Sequence, residues 1–201
     1  MSDHYYSKTP TTPSQRQTID ATLRGQPVRF VTEAGVFSKR EVDFGSRLLI
    51  ETMIVPRDAD VLDVGCGYGP IGLVAARLAA EGTVTMVDVN ERAVNVAKEN
   101  AERLGVKNVR ILQSDLFEAL PQDATFDVVL TNPPIRAGKS VVHRIFEGAY
   151  ERLRSGGSLW VVIQKKQGAP SAFEKLETLF GDVREETKEK GYRIFRAIKQ
   201  N

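Results

Sequence analysis

Apolar residues alternate between two patterns from about residue 60 to the C-terminus. Short apolar runs of the kind that fill buried strands stand at residues 61–64, 84–87, 109–112, 126–130 and 159–163. Between several of these runs, apolar residues recur every three or four positions, as on one face of a helix. Strands that alternate with helices in this way predict a mostly parallel sheet covered by helices on both faces.

Turn residues mark the ends of the predicted elements. Asn90 is placed to cap the helix after the second run, and a helix beginning near Val142 is expected to include Leu153 and to end at two glycines, residues 156–157. Residues 183–187 and 192–198 are predicted to be the last two strands, and the connection between them is short enough for a hairpin. The five runs and this hairpin predict a seven-stranded α/β sheet with one antiparallel strand.

The N-terminal part of the chain has a different character. Residues 1–15 are rich in Ser, Thr and Pro and are predicted to be a flexible tail. Two alternating stretches within residues 17–32 predict a hairpin, and residues 44–55 predict a helix. We therefore expect a single domain at residues 16–201, with a hairpin and helix at residues 16–56 and a core at residues 57–201.

Composition and charge narrow the class of protein. The chain has 201 residues, 41% of them hydrophobic, and a net charge of +2, which permits a polyanionic partner without indicating one. A lone cysteine, Cys66, excludes an intrachain disulfide and is typical of a reducing compartment. No apolar run approaches the ~18 residues of a membrane span, and the N-terminus lacks a signal-peptide core, so a cytoplasmic location is expected. No spacing of His, Cys, Asp or Glu predicts a metal site.

The loop after the first run of the core carries the clearest functional pattern. Ligands of parallel sheets bind beyond the carboxyl ends of the strands, and there the chain reads Asp63-Val64-Gly65-Cys66-Gly67-Tyr68-Gly69-Pro70. Residues 67–72 also match the G-x-G-x-x-G of dinucleotide sites, with Asp88 about 20 residues further on. However, the glycine series begins earlier than that motif, and the Asp63 carboxylate suits a positively charged ligand better than a pyrophosphate.

The pattern D-x-G-x-G-x-G resembles motif I of class I S-adenosylmethionine (SAM) methyltransferases. The resemblance implies a Rossmann-like methyltransferase fold with SAM as cofactor, in which Asp88 accepts the ribose hydroxyls and Asp115 accepts from the adenine amino group. The cofactor site implied in this way consists of Asp63, Gly65, Gly67, Gly69, Asp88, Val89, Asp115, Leu116 and Asn132. A glycine-rich turn without a ligand and a dinucleotide-dependent dehydrogenase remain the alternatives.

A second motif, Asn132-Pro133-Pro134-Ile135, follows the fourth run. Asn-Pro alone is a turn signal, but here it lies beside the glycine loop. The side-chain oxygen of Asn132 and the carbonyl of Pro133 would hold the two N–H groups of an exocyclic amine in line with the methyl group of SAM. The stretch resembles motif IV, (D/N/S)-P-P-(Y/F/W), of methyltransferases that act on adenine N6, guanine N2 or glutamine N5. Ile135 departs from the aromatic residue that usually stacks on the substrate.

A third stretch narrows the family. Residues 35–49 resemble the segment before the core in the small-domain family of ribosomal RNA guanine-N2 methyltransferases that modify the small subunit. The resemblance implies a single-domain enzyme whose partner is ribosomal RNA or the small ribosomal subunit, without a membrane or a metal, and a homodimer is one way to select the RNA site. A protein glutamine-N5 methyltransferase and a non-catalytic RNA-binding module with a vestigial SAM pocket remain the alternatives.

The resemblance also implies a substrate-binding set. Phe37 would supply the ring that Ile135 lacks, and basic residues near the site would contact phosphates. The expected residues are Phe37, Pro134, Ile135, Arg136, Lys139 and Lys165. The basic residues Lys188, Lys190, Arg193 and Arg196 are interpreted instead as parts of a solvated hairpin.

Overall fold

The computed structural model describes residues 6–38 and 40–201. The elements of this part of the chain are β1 (Arg16–Leu23), β2 (Gln26–Glu33), α1 (Phe44–Thr52), β3 (Asp60–Val64), α2 (Pro70–Leu78), β4 (Thr83–Asp88), α3 (Glu91–Arg103), β5 (Val109–Gln113), β6 (Phe126–Thr131), α4 (Lys139–Arg152), β7 (Leu153–Gln164), α5 (Ala169–Phe180), β8 (Asp182–Glu189) and β9 (Tyr192–Ile198). Short 3-10 turns at Ile135–Ala137 and Lys165–Gln167 follow β6 and β7.

Seven of the strands form one sheet in the order β5-β4-β3-β6-β7-β9-β8. The neighbours are parallel except for β9, which runs antiparallel to both β7 and β8. The predicted sheet and its single antiparallel strand are confirmed. The strand order reverses between β3 and β6. The connections that leave the carboxyl ends of these two strands therefore run in opposite directions, which leaves a crevice between them.

Alternating side chains of the central strands fill two separate cores. Val61 of β3 and its partner Val128 of β6 pack in the core that includes residues of α1, α2 and α3. The next pair, Leu62 and Val129, packs in the core on the other face, with residues of α4 and α5. Burial on both faces explains why these strands are mostly apolar instead of alternating between apolar and polar residues.

The predicted N-terminal hairpin is confirmed and lies against α3. Arg24 and Gly25 link β1 to β2 with φ angles of 50° and 75°, as the two central residues of a type I′ turn require. The buried Asn100 side chain accepts from the Val31 amide at 2.7 Å and donates to the carbonyls of Val31 and Tyr68 at 2.9 Å each. One amide side chain therefore ties the hairpin to the glycine loop of the core.

One predicted boundary is wrong. The helix α4 ends at Arg152, and Leu153 begins β7, so the glycines expected to close the helix lie inside a strand. The pairing of β6 with β7 is irregular between Phe126 and Val128, and a Cβ at Gly157 would stand 2.8 Å from the Asp127 carbonyl oxygen. Glycine here allows two backbones to approach each other closely at a bulge. In the sequence, such a glycine cannot be distinguished from one that ends a helix.

The predicted tail is described only from Tyr6 onward, and the assignment of residues 1–15 as flexible and the division at residues 56 and 57 remain predictions. Within residues 6–15, the Lys8 carbonyl accepts from the Glu91 amide at 3.1 Å, so this segment contacts the start of α3. Among the described helices, none combines the length and the hydropathy required to cross a membrane.

Candidate functional site

A cleft opens at the carboxyl ends of β3, β4 and β6. Its empty space, mouth included, is about 850 Å³. Nine of the residues predicted from the sequence line it: Phe37, Gly65, Gly67, Asp88, Val89, Leu116, Asn132, Pro133 and Pro134. The other predicted residues, Asp63, Gly69, Asp115, Ile135, Arg136, Lys139 and Lys165, do not line this cleft.

The glycine loop is folded over the end of β4. The amides of Gly65 and Cys66 both donate to the Val87 carbonyl at 2.9 Å, and the Gly67 amide donates to Asp88 Oδ2 at 2.8 Å. Gly65 and Gly67 have φ angles of 76° and 57°, and a Cβ added at either position would meet no protein atom within 4 Å. Their bare backbone therefore borders open space that a ligand can approach closely.

Gly69 has a different reason to be glycine. Its φ is 108°, and a Cβ there would lie 2.9 Å from Leu73 Cδ1. Gly69 precedes Pro70 at the start of α2, so this glycine lets the helix begin tightly against the loop. It supports the cleft without lining it.

Asp88 is held at the end of β4 with acceptor capacity to spare. Its Oδ1 accepts from the Asn90 amide and its Oδ2 from the Gly67 amide, both at 2.8 Å. A carboxylate has about four lone-pair positions, so two remain for ligand hydroxyls. Burial raises the pKa of Asp88 to about 6, although the amides of Asn90, Gly67 and Val89 lower it in part.

Asp63 lies behind the glycine loop rather than on the cleft wall. It is fully buried, and neither carboxyl oxygen has a hydrogen-bond partner of good geometry among the described residues. Burial raises its pKa to about 7; the nearby Gly72 amide lowers it, and the charge of Asp88 raises it further. An unsatisfied buried carboxyl of this kind is costly unless a positive charge or a donor comes near. The observation fits a cationic ligand in the adjacent cleft.

The turn after β5 presents Leu116 to the cleft. Ser114 Oγ donates to the Leu116 carbonyl at 2.8 Å and accepts from the Ala119 amide at 3.0 Å, which closes the turn. Leu116 has a φ of 52°, unusual for a residue with a side chain, and it is buried on the cleft wall. Asp115 is half-buried beside it, and its predicted contact with an adenine amino group stays a prediction.

The side chain of Asn132 is oriented by α1. Its Nδ2 donates to Ser46 Oγ at 3.0 Å and to Asp43 Oδ2 at 3.3 Å. An ionised carboxylate only accepts hydrogen bonds, so the NH₂ group of Asn132 faces Asp43 and the amide oxygen faces the other way. Asp43 also caps α1 by accepting from the Ser46 amide at 3.1 Å. The helix start thereby fixes which atom of Asn132 is available to a ligand.

Two hydrogen-bond acceptors on consecutive residues have no partner among the described residues. Neither Asn132 Oδ1 nor the Pro133 carbonyl accepts a hydrogen bond from any residue in the described part of the chain. The following carbonyls are used: Pro134 accepts from the Ala137 amide at 2.9 Å, and Ile135 from the Gly138 amide at 3.1 Å. This arrangement can hold a group with two N–H donors, such as an exocyclic amine.

Comparison with known proteins decides the family. Residues 27–196 match the model of the methyltransferase small domain. The chain belongs to this family. With it, the predicted fold, the SAM-dependent methyltransferase class and SAM as the cofactor are confirmed.

Three similar proteins show the range of this small-domain family. The uncharacterized protein YbxB of Bacillus subtilis (strain 168) is 56% identical over 200 residues, which is 99% of this chain and 100% of YbxB. The ribosomal RNA large subunit methyltransferase G of Streptomyces avermitilis is 32% identical, over 89% of this chain and 47% of that protein. The 16S rRNA N2 methyltransferase RsmC of T. thermophilus, solved with AdoMet and guanosine, superposes with a TM-score of 0.83 and 31% identity, over 95% of this chain and 52% of RsmC.

The chain thus spans about half the length of the ribosomal RNA methyltransferases among these relatives. The half that it shares with RsmC includes nearly all of this chain, and therefore the cleft and the Asn132-Pro133-Pro134 loop.

Two residues that contact Asn132, Asp43 and Ser46, were not predicted from the sequence as part of the site. Asp43 followed three positions later by Ser46 at the start of an apolar helix is an N-cap pattern, which predicts their mutual contact. Their contact with Asn132 joins residues 86 and 89 positions apart, and no local pattern signals such a pairing.

Of the two residues expected at the substrate, Phe37 lines the cleft and Ile135 does not. Ile135 packs partly buried on the core beneath α4 and does not line the cleft, whereas Phe37 lines it with 39% of its surface exposed. The predicted basic residues Arg136, Lys139 and Lys165 are exposed and form no ion pair with described residues. No group of three His, Cys, Asp or Glu side chains in residues 6–38 and 40–201 could hold a metal ion.

Proposed function

We propose that this protein transfers the methyl group of SAM to an exocyclic amino nitrogen, with guanine N2 of small-subunit ribosomal RNA as the favoured target. The observation that carries the proposal is the pair of unoccupied acceptors, Asn132 Oδ1 and the Pro133 carbonyl, at one wall of the cleft. An exocyclic NH₂ group has two N–H donors, which matches two acceptors on adjacent residues.

The cofactor would occupy the part of the cleft formed by the glycine loop and the end of β4. SAM, when bound, supplies an activated methyl group on a positively charged sulfur. Gly65 and Gly67 offer backbone that a ligand can approach closely, and Asp88 retains lone pairs for two ribose hydroxyls. The buried Asp63 contributes negative charge beneath the loop, where a cationic ligand lowers the cost of its ionisation.

The acceptor pair would act on the substrate amine. The lone pair of an exocyclic amine is delocalised into its ring, which makes the nitrogen a poor nucleophile. Hydrogen bonds from its two N–H groups to Asn132 Oδ1 and the Pro133 carbonyl orient the nitrogen and favour the pyramidal form, whose lone pair is directed at the methyl carbon. Because these oxygens are held by Asp43, Ser46 and the proline backbone, they need little reorganisation.

The chemistry requires no strong general base. The nitrogen forms a bond to the methyl carbon as the carbon–sulfur bond breaks, and the bond electrons stay with sulfur. The nitrogen, now positively charged, becomes acidic and releases one proton to water. Asn132 and Pro133 can accept the hydrogen bonds throughout, but neither is basic enough to take the proton.

The likeness to RsmC supports 16S RNA as the target, because it covers 95% of this chain and RsmC was solved with guanosine. Because the chain is also similar to a large-subunit methyltransferase, large-subunit ribosomal RNA is tested as an alternative substrate. Surfaces of this domain would take part in RNA selection. Exposed Arg136, Lys139 and Lys165 would contact phosphates. A homodimer and a cytoplasmic location stay predictions.

The decisive experiment is methyl transfer from labelled SAM to small and large ribosomal subunits from a strain that lacks this gene, followed by nucleoside mass spectrometry. We expect N2-methylguanosine in the small-subunit RNA, and none with Asn132→Ala. Label in large-subunit RNA would overturn the favoured target and keep the chemistry. Label in a protein glutamine would overturn the RNA substrate. Binding of S-adenosylhomocysteine without any transfer would favour a vestigial pocket.

A further inference from the structure

An aromatic residue from the N-terminal segment reaches the cleft. Tyr6 lines it together with Val89, Ser114 and Leu116, the residues at the carboxyl ends of β4 and β5. The pKa of its hydroxyl is raised, first by burial and then by the charge of Asp115, with a smaller effect of Asp88. The ring therefore shares the cleft with the residues that follow β4 and β5.

The chain just after Tyr6 is anchored by backbone contacts. The Lys8 carbonyl accepts from the Glu91 amide at the first turn of α3 at 3.1 Å, and from the Gln113 side chain at 3.4 Å. Gln113 Nε2 also donates to the Val89 carbonyl at 3.0 Å. Lys8 is thus bound to the same two strand ends that form this part of the cleft.

A second anchor lies at Thr12. Arg92 donates to the Thr12 carbonyl at 2.8 Å, to Thr12 Oγ1 at 3.2 Å and to the Ala34 carbonyl at 2.6 Å. Arg92 is held in turn by Glu33 at 3.5 Å, in a pair whose side chains are 18% and 7% exposed. A Cβ at Gly35 would stand 3.1 Å from Pro10 Cβ, so the segment between the anchors packs closely on the domain. Two anchors determine where Tyr6 enters the cleft.

We propose that Tyr6 is a cofactor-binding residue, whose ring packs against the adenosine part of bound SAM at the Leu116 end of the cleft. This inference rests on the proposed SAM site and extends it to a segment that the sequence indicated only as a tail. The contribution comes from the ring: the hydroxyl forms no hydrogen bond with described residues, whereas an aromatic face stacks on a purine and excludes water from Asp88.

The physical argument predicts where the effect should appear. Stacking acts on the adenine and ribose and not on the methyl or the amino-acid portion of the cofactor. Loss of the ring should therefore weaken S-adenosylhomocysteine and 5′-methylthioadenosine by the same factor, because both carry the adenosine. A residue that only stabilised the fold would instead lower the melting temperature of the ligand-free protein.

Calorimetric titration of the full chain with these two ligands tests the inference. For Tyr6→Ala we expect about tenfold weaker binding of both ligands, and for Tyr6→Phe binding within about threefold of wild type, because the ring is retained. Thr9→Ala is the matched control, since Thr9 is exposed in the same segment, and it should bind as wild type does. The melting temperature of each ligand-free variant should stay unchanged.

Three outcomes would contradict the inference. Unchanged binding by Tyr6→Ala would show that the segment docks without touching the cofactor, and tighter binding would show that it obstructs the cleft. A loss in Tyr6→Phe equal to that in Tyr6→Ala would assign the effect to the hydroxyl. If wild-type protein bound neither ligand, the proposed SAM site itself would fail, which is a distinguishable result.

Discussion

The two edges of the central sheet carry similar amounts of open space and very different chemistry. With their open mouths included, the cleft at the carboxyl ends of the strands has about 850 Å³ of empty space, and a second depression at the opposite edge, beside Asp127 and Ser158, has about 780 Å³. At the opposite edge Arg154 bonds to Asp60 at 2.8 Å and to Asp127 at 2.9 Å, and Asp127 also accepts from the Asp60 amide at 2.8 Å. These charged groups are therefore paired with each other. Arg196 is an exception at this edge, because its Nε has no hydrogen-bond partner in the described chain.

At the carboxyl edge several acceptors are left without a partner in the part of the chain that the structure describes. Asn132 Oδ1, the Pro133 carbonyl and both oxygens of Asp63 have no partner among the described residues. An unpaired buried acceptor destabilises a fold by about 1–3 kcal/mol, so the two buried oxygens of Asp63 are costly unless a ligand or a positive charge uses them. Unsatisfied groups, more than the volume of a cavity, therefore separate the functional edge from the structural one.

The largest expected effect comes from removing an unpaired acceptor. Asn132→Ala should lower the methyl-transfer rate by about 100- to 1,000-fold, because the substrate amine loses one of two oriented acceptors. Binding of S-adenosylhomocysteine, measured by calorimetry, should change by no more than about fivefold if the acceptors act on the amine rather than on the cofactor.

The opposite edge supplies the matched control for this prediction. Asp127→Ala removes a carboxylate that is bonded to Arg154 and to the Asp60 amide, so it should lower the melting temperature and leave the transfer rate unchanged. Equal losses of transfer in the two variants would remove the distinction between the edges.

Much of this contrast could be read from the sequence, because strand ends and turn residues are local signals. The five apolar runs and the C-terminal hairpin predicted the seven strands of the sheet, and the glycine loop and Asn132-Pro133 marked the edge with the cleft. The two hairpins were also predictable, because a short connection that contains glycine is a local signal for a tight turn. In the structure, Lys190 and Gly191 both have left-handed φ angles in the turn between β8 and β9.

What the sequence did not show depends on contacts between distant residues. The orientation of Asn132 comes from a helix start more than 80 positions away, and the entry of Tyr6 into the cleft depends on anchors at α3 and β5. Gly157 was interpreted as a helix stop because its role, an approach to the Asp127 carbonyl, is visible only in the sheet. The interpretation of Lys190 as a solvated hairpin residue was incomplete, since its Nζ lies 4.7 Å from the Phe44 ring, beside Asp43.

The second prediction concerns the group that orients the acceptor. Asp43→Asn should lower kcat by about 10- to 100-fold, because an amide at position 43 can donate to Asn132 Oδ1 and turn it away from the cleft. Asparagine remains a good N-cap, so the melting temperature and the affinity for S-adenosylhomocysteine should stay close to wild type. Ser46→Ala, which removes the other partner of Asn132 Nδ2 but keeps the carboxylate, should have a smaller effect on kcat. An unchanged kcat in Asp43→Asn would show that Asn132 does not need this partner.

The third prediction compares cations at the two edges. Combined replacement of Arg136, Lys139 and Lys165 by Ala should weaken RNA binding about tenfold in 0.15 M salt and reduce the slope of log K against log salt by about 2. These cations are exposed, lack ion-pair partners in the described chain and follow β6 and β7 at the cleft edge. Filter binding to 16S RNA across a salt series measures both quantities.

A control of equal charge distinguishes location from net charge. Arg57, Arg77 and Lys107 are exposed at the opposite ends of the strands and helices, and Arg57 is already paired with Glu81 at 2.9 Å. Their combined replacement by Ala changes the net charge by the same amount and should leave the affinity and the salt slope within about twofold of wild type. Equal effects of the two triple variants would mean that net charge alone attracts the RNA.

The smallest expected effect is a pH dependence that only the carboxyl edge should show. Burial raises the pKa of Asp88 to about 6, whereas at the opposite edge the hydrogen bond from Arg154, followed by that from Thr83, lowers the pKa of Asp60. Ribose hydroxyls need the ionised form of Asp88 as acceptor, so ligand affinity is complete well above this pKa and is lost as the pH falls through it. Affinity for S-adenosylhomocysteine should therefore be about twofold weaker at pH 6 than at pH 8, because half of Asp88 is protonated at its pKa. Asp60→Asn should keep this step. Asp88→Asn should bind more weakly at every pH and lose the part of the step that Asp88 causes. Because burial also raises the pKa of Asp63 to about 7, only the double variant Asp63→Asn/Asp88→Asn should lose the step entirely, and a step of unchanged size in Asp88→Asn would contradict the assignment to Asp88.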